Sequence, residues 1–409
     1  MNIAMVTDFF YPNIGGIETH IQAMAKYLQK KGHRVIVITH IYDDIEGVHY
    51  INGIKTYYIH IPIIAQNTSF PSVLGSTFEL RRIFLNEKID LVHGHQSMSN
   101  LAMEGIFHAQ TLGLRTVFTE HSLFECGTVE NLVVNMLARW VLLDVDRVIC
   151  VSYTTKENLM YRTHLPSKLI HVIPNAVEKN KFACNKKKTN GNITIIVASR
   201  LVYRKGIDIL VEALPRICML DKRIKMIIGG DGPKRDEIEQ VIDEYNLSNR
   251  VITIGEVPHN EMPEFLSQGD IFLNTSLTES FGISIIEAAL CGLMVVSTNV
   301  GGVHEVLPDE LITLTLPTAD GIINGIKYAI NKINGNKLET NKQISEIYTW
   351  DYVTELTENV YLSIEKRKKK RMIERLNKYK GVGGFLFSIL ILFDQVVYSI
   401  CDYFKFIGA

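Results

Sequence analysis

Short apolar runs alternate with longer amphipathic stretches along almost the whole chain, and that alternation admits few folds. Runs at 3–7, 34–39, 54–60, 91–93, 116–119, 147–151 and 169–173 are rich in Val, Ile and Leu and predict strands. Between them, 17–31, 74–86, 99–111, 130–143 and 154–161 carry helical spacing. Strands that are apolar on both faces and separated by helices predict a parallel sheet covered on both sides. A polar stretch at 179–191, rich in lysine and asparagine, breaks the pattern and reads as a linker. The alternation then resumes, with strands expected at 193–199, 225–229, 251–254, 271–274 and 294–297. Helices are expected near 206–219, 235–245, 261–268, 283–290 and 319–331, and a closing one over 350–365. A chain of 409 residues exceeds what one hydrophobic core ordinarily holds. Two doubly wound α/β units in tandem are therefore expected, with ligand at the carboxyl ends of their strands.

Composition narrows the function. Lys and Arg number 43 against 44 Asp and Glu, so no field of the whole chain recruits nucleic acid. The six cysteines (Cys126, Cys150, Cys184, Cys218, Cys291 and Cys401) are scattered and form no Cys-x-x-Cys pair, which argues against a zinc site or a disulfide framework and for a reducing compartment. The first residues already read as a buried strand with no basic region before it. No signal peptide is expected, and the catalytic part is expected to face the cytosol.

The charge is uneven near the C-terminus. Basic residues crowd at 366–371, just ahead of an apolar stretch at 383–401 that is interrupted by Ser388, Asp394, Gln395 and Ser399. A helix needs about 20 apolar residues to span a bilayer, and an Asp at its centre costs roughly 2.5–3.5 kcal/mol. Hydropathy thus leaves spanning undecided and two readings open, a membrane-associated tail flanked by a lipid-attracting basic run, or a helix buried against the body or a partner.

Several segments carry chemistry. In Glu279-Ser280-Phe281-Gly282-Ile283-Ser284-Ile285-Ile286-Glu287 the first acid follows a strand and the second lies on the next helix, so both can accept hydroxyls of one ligand; Phe281-Gly282 brings amides to the helix start. The plain alternative is a favourable acid at a helix N-terminus with an exposed Glu one turn on. Ser199-Arg200-Leu201-Val202-Tyr203-Arg204-Lys205-Gly206 opens the first helix of the second unit. Arg200 offers a planar fork and Lys205 a point charge, both suited to a diphosphate; a solvated basic loop is the alternative. Gly15-Gly16 leads into a helix and lets backbone approach a phosphate or sugar. Gly229-Gly230-Asp231-Gly232-Pro233 ends a strand in a similar way, or is simply a tight turn. His93, His95 and His121 fall at strand ends. The His-x-His pair has no convincing third metal ligand near it in the sequence. His121 is the better candidate, for a sugar hydroxyl or a proton shuttle.

Together these segments resemble the retaining glycosyltransferases of family four, with the GT-B fold. The acid pair Glu279 and Glu287, Arg200 with Lys205, Gly15-Gly16 and Pro174-Asn175 match in the family's order. A closer resemblance is to the family of catalytic subunits of phosphatidylinositol N-acetylglucosaminyltransferase, the PIG-A type. It rests on Phe9-Phe10-Tyr11-Pro12, Gly15-Gly16-Ile17-Glu18-Thr19-His20, Thr119-Glu120-His121-Ser122 and the Ser199–Gly206 segment. It extends through Phe272-Leu273-Asn274-Thr275-Ser276-Leu277-Thr278-Glu279 and through Val295-Val296-Ser297-Thr298 with Gly301-Gly302. The resemblance implies two Rossmann-like domains facing a cleft, an acceptor-side one over 1–180 and a nucleotide-sugar one over 190–345. A closing helix over 346–366 and an apolar, membrane-associated tail over 383–403 complete it. It implies transfer of GlcNAc from UDP-GlcNAc to phosphatidylinositol with retention, the first step of glycosylphosphatidylinositol synthesis. The setting implied is the endoplasmic reticulum membrane, with further subunits as partners and no nucleic acid. Glu287 would hold the ribose, Glu279 the donor sugar, Arg200 and Lys205 the diphosphate, with Gly15, Gly16, Phe281 and Gly282 lining the donor and His121 beside the chemistry. No metal is expected, because cations and helix termini take its place, and front-face displacement is the working mechanism. Three rivals remain: a lipid transferase with another sugar or acceptor such as a mannosyltransferase, a non-catalytic scaffold in a membrane complex, and a dehydrogenase. The scaffold is disfavoured by the intact acids and cations, and the dehydrogenase by the missing Gly-x-Gly-x-x-Gly.

Overall fold

The computed structural model describes residues 1–13, 15–65, 68–70, 74–124, 129–182, 191–333, 344, 346–365, 372–379 and 384–407. The basic run 366–371, Cys126, Cys184, Gly383 and most of the expected linker lie outside these residues. The chain divides into two compact units, Met1–Pro174 with Val353–Ala409, and Asn175–Tyr352.

The first unit is built on β1 (Asn2–Val6), α1 (Gly16–Lys30), β2 (Arg34–His40), β3 (Gly47–Ile51), β4 (Ile54–Ile59), β5 (Ile63–Ala65), β6 (Thr68–Ser69), α2 (Thr77–Asn86) and β7 (Leu91–His95). It continues with α3 (Asn100–Leu112), β8 (Arg115–Glu120), α4 (Val129–Leu142), β9 (Arg147–Cys150), α5 (Tyr153–Thr163) and β10 (Ile170–Val172). Eight strands form one sheet in the order β10-β9-β8-β7-β1-β2-β4-β3. All pairings are parallel except β3 with β4. The strand β3 and the small β5–β6 pair are additions to the sequence reading. Two or three residues, or a strand exposed along most of its length, give no apolar run to find.

The second unit runs α6 (Lys179–Phe182), β11 (Ile193–Ala198), α7 (Ile207–Leu220), β12 (Ile224–Gly229), α8 (Arg235–Glu244), β13 (Val251–Gly255) and α9 (Met262–Leu266). Then come β14 (Ile271–Asn274), α10 (Ile283–Leu290), β15 (Met294–Thr298), β16 (Ile312–Thr315) and α11 (Ala319–Ile333). Its six strands are all parallel, in the order β13-β12-β11-β14-β15-β16. The described start of the expected linker is not irregular but the short helix α6, fixed by the buried Phe182.

The chain closes with α12 (Trp350–Leu362), α13 (Met372–Tyr379) and α14 (Phe385–Ile407). From Val353 onward α12 belongs to the first unit. Glu358 accepts from Lys31 at 2.8 Å, and the buried Tyr361 hydroxyl lies 2.7 Å from His93 Nδ1. The tail stretch is a 23-residue helix. No helix among the described residues is long and apolar enough to cross a membrane. One face of α14 packs into the first unit's core: Phe387 sits between Phe107, Trp140 and Tyr379 at 5.2, 5.6 and 5.4 Å between ring centroids. The reading of a helix buried against the body thus holds for that face.

Among the parallel strands of both sheets the chain order reverses once. β1 has β2 on one side and β7 on the other, and β11 has β12 on one side and β14 on the other. Loops leaving the carboxyl ends of such a strand pair part to opposite faces and leave a crevice, the usual ligand position in open α/β sheets. Every candidate residue can be located against these two switch points.

Candidate active site

In the second unit the crevice is walled by the loop after β11 and the loop after β14. Gly206 ends the first of these with φ 66°, and a Cβ there would lie 1.8 Å from the Thr275 carbonyl oxygen, so only glycine lets the two loops meet. The Thr275 hydroxyl donates to the Lys205 carbonyl at 2.9 Å, and the Leu277 amide donates to the Arg204 carbonyl at 3.0 Å. This stitching brings the Lys205 ammonium onto the Glu279 carboxylate as an ion pair, with both side chains largely covered. The Ser276 hydroxyl also donates to Glu279 at 3.0 Å, and the Glu279 carbonyl accepts from the Gly302 amide at 2.9 Å. A cation and an acid, placed far apart in the chain, are thus joined at the switch point. Arg200, on the same loop as Lys205, is exposed. The turn at Gly230 belongs to the framework. With φ 138°, its Cβ would stand 1.8 Å from the Ser199 carbonyl, so glycine lets the loop after β12 close on the start of the Arg200 segment.

Phe281 is buried against Tyr348, ring centroids 5.7 Å apart, and Gly282 begins α10 without a side-chain cap. The Ile285 amide donates back to the Gly282 carbonyl at 3.0 Å, so the helix start offers an acceptor the amides ahead of Ile285. Glu287 is buried on α10, unlike the exposed Glu of the plain alternative raised from the sequence. Its carboxylate pairs with His259 Nε2 at 3.4 Å, and this hydrogen bond holds His259 above its ordinary pKa. The sequence reading missed His259. It sits in the loop before α9 with no period or spacing that links it to Glu287.

In the first unit Gly15 precedes α1 in extended conformation, again without a side-chain cap, and Gly16 opens the helix. The neighbouring crevice is lined with histidines. His121 Nε2 lies 3.2 Å from His95 Nδ1, and the His20 ring stands edge-on to His121 at 4.8 Å. All three are buried, and one ring nitrogen from each lies within 4.8 Å of the others. The cluster is not the His-x-His pair with a third ligand, since His93 stands outside it and His95 meets two histidines distant in the chain. These come from α1 and from the end of β8, elements that only the sheet order brings next to β7. Such a triad can hold a metal ion with an open fourth position, or present neutral imidazoles to a hydroxyl-bearing ligand. Burial pushes His95 and His121 well below the usual histidine range, helped by their neighbours' charges, and it holds His93 at about 3. They are neutral at pH 7, so His121 can exchange hydrogen bonds with a hydroxyl but carries no stored charge. His93 is a framework residue, held by Tyr361 at 2.7 Å and Thr119 at 2.6 Å. Glu120, adjacent in the motif, is consumed structurally: it pairs with the buried Arg162 at 2.9 Å and accepts the His121 amide at 3.0 Å, fixing the loop that aims His121.

Comparisons with known proteins agree with this geometry. A family model described as Glycosyltransferase Family 4 matches residues 14–181, and one described as Glycosyl transferases group 1 matches 178–346. The phosphatidylinositol N-acetylglucosaminyltransferase of Homo sapiens has a subunit 42% identical to this chain over 402 residues, covering 96% of this chain and 83% of the relative. Its namesake from Arabidopsis thaliana is 41% identical, covering 98% and 91%. The gpi3 subunit of the Schizosaccharomyces pombe enzyme is 41% identical, covering 98% and 89%. Among solved structures, the sucrose-phosphate synthase of Thermosynechococcus elongatus matches with a TM-score of 0.75 at 20% identity, covering 88% of this chain and 98% of that one. Anabaena HepE in complex with UDP matches with a TM-score of 0.70 at 19% identity, covering 89% and 100%. At those identities the likeness is one of fold, the GT-B arrangement of two Rossmann-like domains. The chain belongs to the family of PIG-A-type subunits of phosphatidylinositol N-acetylglucosaminyltransferase, within the family 4 glycosyltransferases.

Proposed function

We propose that this chain transfers GlcNAc from UDP-GlcNAc to the inositol of phosphatidylinositol with retention of configuration, the first step in building a glycosylphosphatidylinositol anchor. The observation that carries this reading is the Lys205–Glu279 pair at the switch point of the second unit, in a chain aligned over nearly its whole length with transferases of that name. In the free protein each group neutralises the other. A donor diphosphate competes for Lys205, and the released Glu279 carboxylate is then free to accept hydroxyls of the sugar. Lys205 and the exposed Arg200 stabilise the charge that develops on the leaving phosphate as the sugar–oxygen bond breaks. Glu287, held by His259 on α10, suits a ribose diol. The α10 amides, behind Phe281 and Gly282, add fixed donors. In a front-face displacement the inositol oxygen joins the anomeric carbon from the side the phosphate leaves, and the hydroxyl proton passes to that phosphate.

The relatives are named as subunits, which supports action within a complex, and the UDP complex of HepE supports a uridine donor. The endoplasmic reticulum membrane, with the catalytic units on the cytosolic side, is the setting proposed. Membranes carrying the chain, given labelled UDP-GlcNAc and phosphatidylinositol, should yield a labelled lipid with the α-anomer. Label transferred only from another nucleotide sugar would sink the reading. Transfer should also survive EDTA, since the proposed charge stabilisation comes from side chains. Loss of activity on chelation, restored by a divalent ion, would move attention to His20, His95 and His121 as a metal seat.

A further inference from the structure

We propose that His259 is a positioning residue for donor recognition: its positive charge holds the Glu287 carboxylate toward the two hydroxyls of the donor ribose, so those hydroxyls are recognised best while the imidazole carries its second proton. The inference deepens the functional reading and rests on its assignment of Glu287 to the ribose.

Three elements of the second unit converge on this pair. Glu287 is buried on α10, and its Oε1 lies 3.4 Å from Nε2 of His259 in the loop before α9. The His259 ring stands edge-on to Phe182 of α6, at 6.1 Å between ring centroids. Phe182 is itself buried, and its carbonyl accepts the Cys291 thiol at 3.4 Å. The Cys291 amide in turn donates to the Glu287 carbonyl at 3.1 Å. One aromatic residue thus braces both the His259 ring and the turn of α10 that carries the acid. The His259 side chain is 44% exposed, against 9% for Glu287. The imidazole can therefore exchange protons with solvent while the acid it holds is largely covered. A carboxylate has about four lone-pair positions, so one contact to His259 leaves room for a ribose diol.

Charge explains why this acid needs a cation. Two carboxylates repel an incoming diphosphate unless each has a counter-charge. Glu279 has Lys205, and Glu287 has His259. The two cations differ in kind, because histidine is the side chain whose charge changes near neutral pH. The charged groups that face His259 are Glu287 on α10 and, from the α6 segment, Lys181 and Glu178. Lys181 and Glu178 pair with one another at 2.6 Å, which leaves Glu287 as the main influence. The hydrogen bond to Glu287 holds His259 above the ordinary histidine value near 6.5, with burial acting against it. The charge is complete well below that raised value and is lost as pH climbs through it, so the hold on Glu287 weakens on the alkaline side.

The test compares UDP with 2′,3′-dideoxy-UDP in calorimetric titrations of the purified full chain. The two ligands differ only in the ribose hydroxyls, so the ionisation of their phosphates cancels in the ratio of affinities. Near pH 6 wild type should bind UDP roughly 10–100-fold more tightly than the dideoxy analogue, as expected of hydrogen bonds to a charged group. That ratio should shrink toward about pH 8.5. His259→Gln should lower the ratio near pH 6 by about threefold or more and abolish its pH dependence, since a neutral partner makes the weaker hydrogen bond. His259→Arg, whose charge is constant over this range, should keep the ratio high at both ends. A wild-type ratio that stays flat across the range overturns the proposal without recourse to any variant. So does a His259→Gln ratio of wild-type size and slope. Glu287→Gln separates the two levels of the argument. If it keeps the full ratio, the ribose lies elsewhere and the functional reading of Glu287 fails. If it loses the ratio while His259→Gln does not, only the role of His259 falls.

Discussion

Lys205 and Glu279 neutralise each other in a partly covered pair, and such pairs contribute only about 0–1 kcal/mol to folding. Their value under the proposed function lies in the donor complex. Lys205→Ala is therefore expected to reduce transfer by about 10²–10³-fold while the unfolding temperature barely moves, because removing one preorganised charge donor typically costs that much. Wild-type turnover in a folded variant would remove Lys205 from the site. A second residue-scale consequence concerns pH. His93, His95 and His121 stay neutral in the folded chain far below the value near 6.5 at which the unfolded chain takes protons. As pH falls below about 6.5 the unfolded state binds protons that the native state refuses, so each histidine costs about 1.4 kcal/mol of stability per pH unit. Asp8 acts in the opposite sense. Burial raises it to about 6, so the native state gains its proton first and is favoured as pH falls from about 6 toward 4. Thermal midpoints of wild type and His93→Gln between pH 4.5 and 7 separate the terms. The variant's curve should fall less steeply with acid, and parallel curves would contradict the account.

At the scale of elements, the site depends on one contact between loops. Gly206 allows the turn after β11 to touch the loop after β14, and that contact delivers Lys205 to Glu279. Gly206→Ala should thus destabilise the second unit by more than about 1 kcal/mol and weaken UDP binding in the same variant, because strain and displacement act on one loop. A titration and a melt that both match wild type would mean the loops are not coupled. Helix and strand positions were legible from local pattern wherever an element is buried on a regular period; α10 is found at the predicted residues. The exposed strand β3 and the short pair β5–β6 were not, since their partners rather than their composition make them strands. The short helix α6 escaped for a related reason: only the burial of Phe182 orders a segment whose lysines suggest a linker.

At the scale of the whole molecule, the C-terminal helix is a component of the first unit's core as well as a tail. Phe387 is fully buried among rings from α3, α4 and α13. Phe387→Ala should lower the unfolding free energy by about 3–5 kcal/mol, the ordinary cost of an aromatic cavity, in denaturant titrations of the full chain. A loss under about 1 kcal/mol would detach α14 from the core. Removal of 383–409 is for the same reason expected to damage folding as well as any hold on a membrane.

Sequence alone determined the two α/β series, the loops that carry Arg200, Lys205 and Glu279, the helix that carries Glu287, and the glycines before α1 and α10. All of these are local matters of period, turn chemistry and helix starts, which neighbouring residues dictate. The family resemblance, drawn from the same motifs, was legible for the same reason. Three pairings were decided only by tertiary structure: Lys205 with Glu279, His20 and His121 with His95, and His108 with Asp394. Each joins groups far apart in the chain that meet because a strand order reverses or a helix packs back on the body. No local period records which strand becomes a neighbour, so the chain lists the chemical groups, and the sheet topology chooses which of them act together.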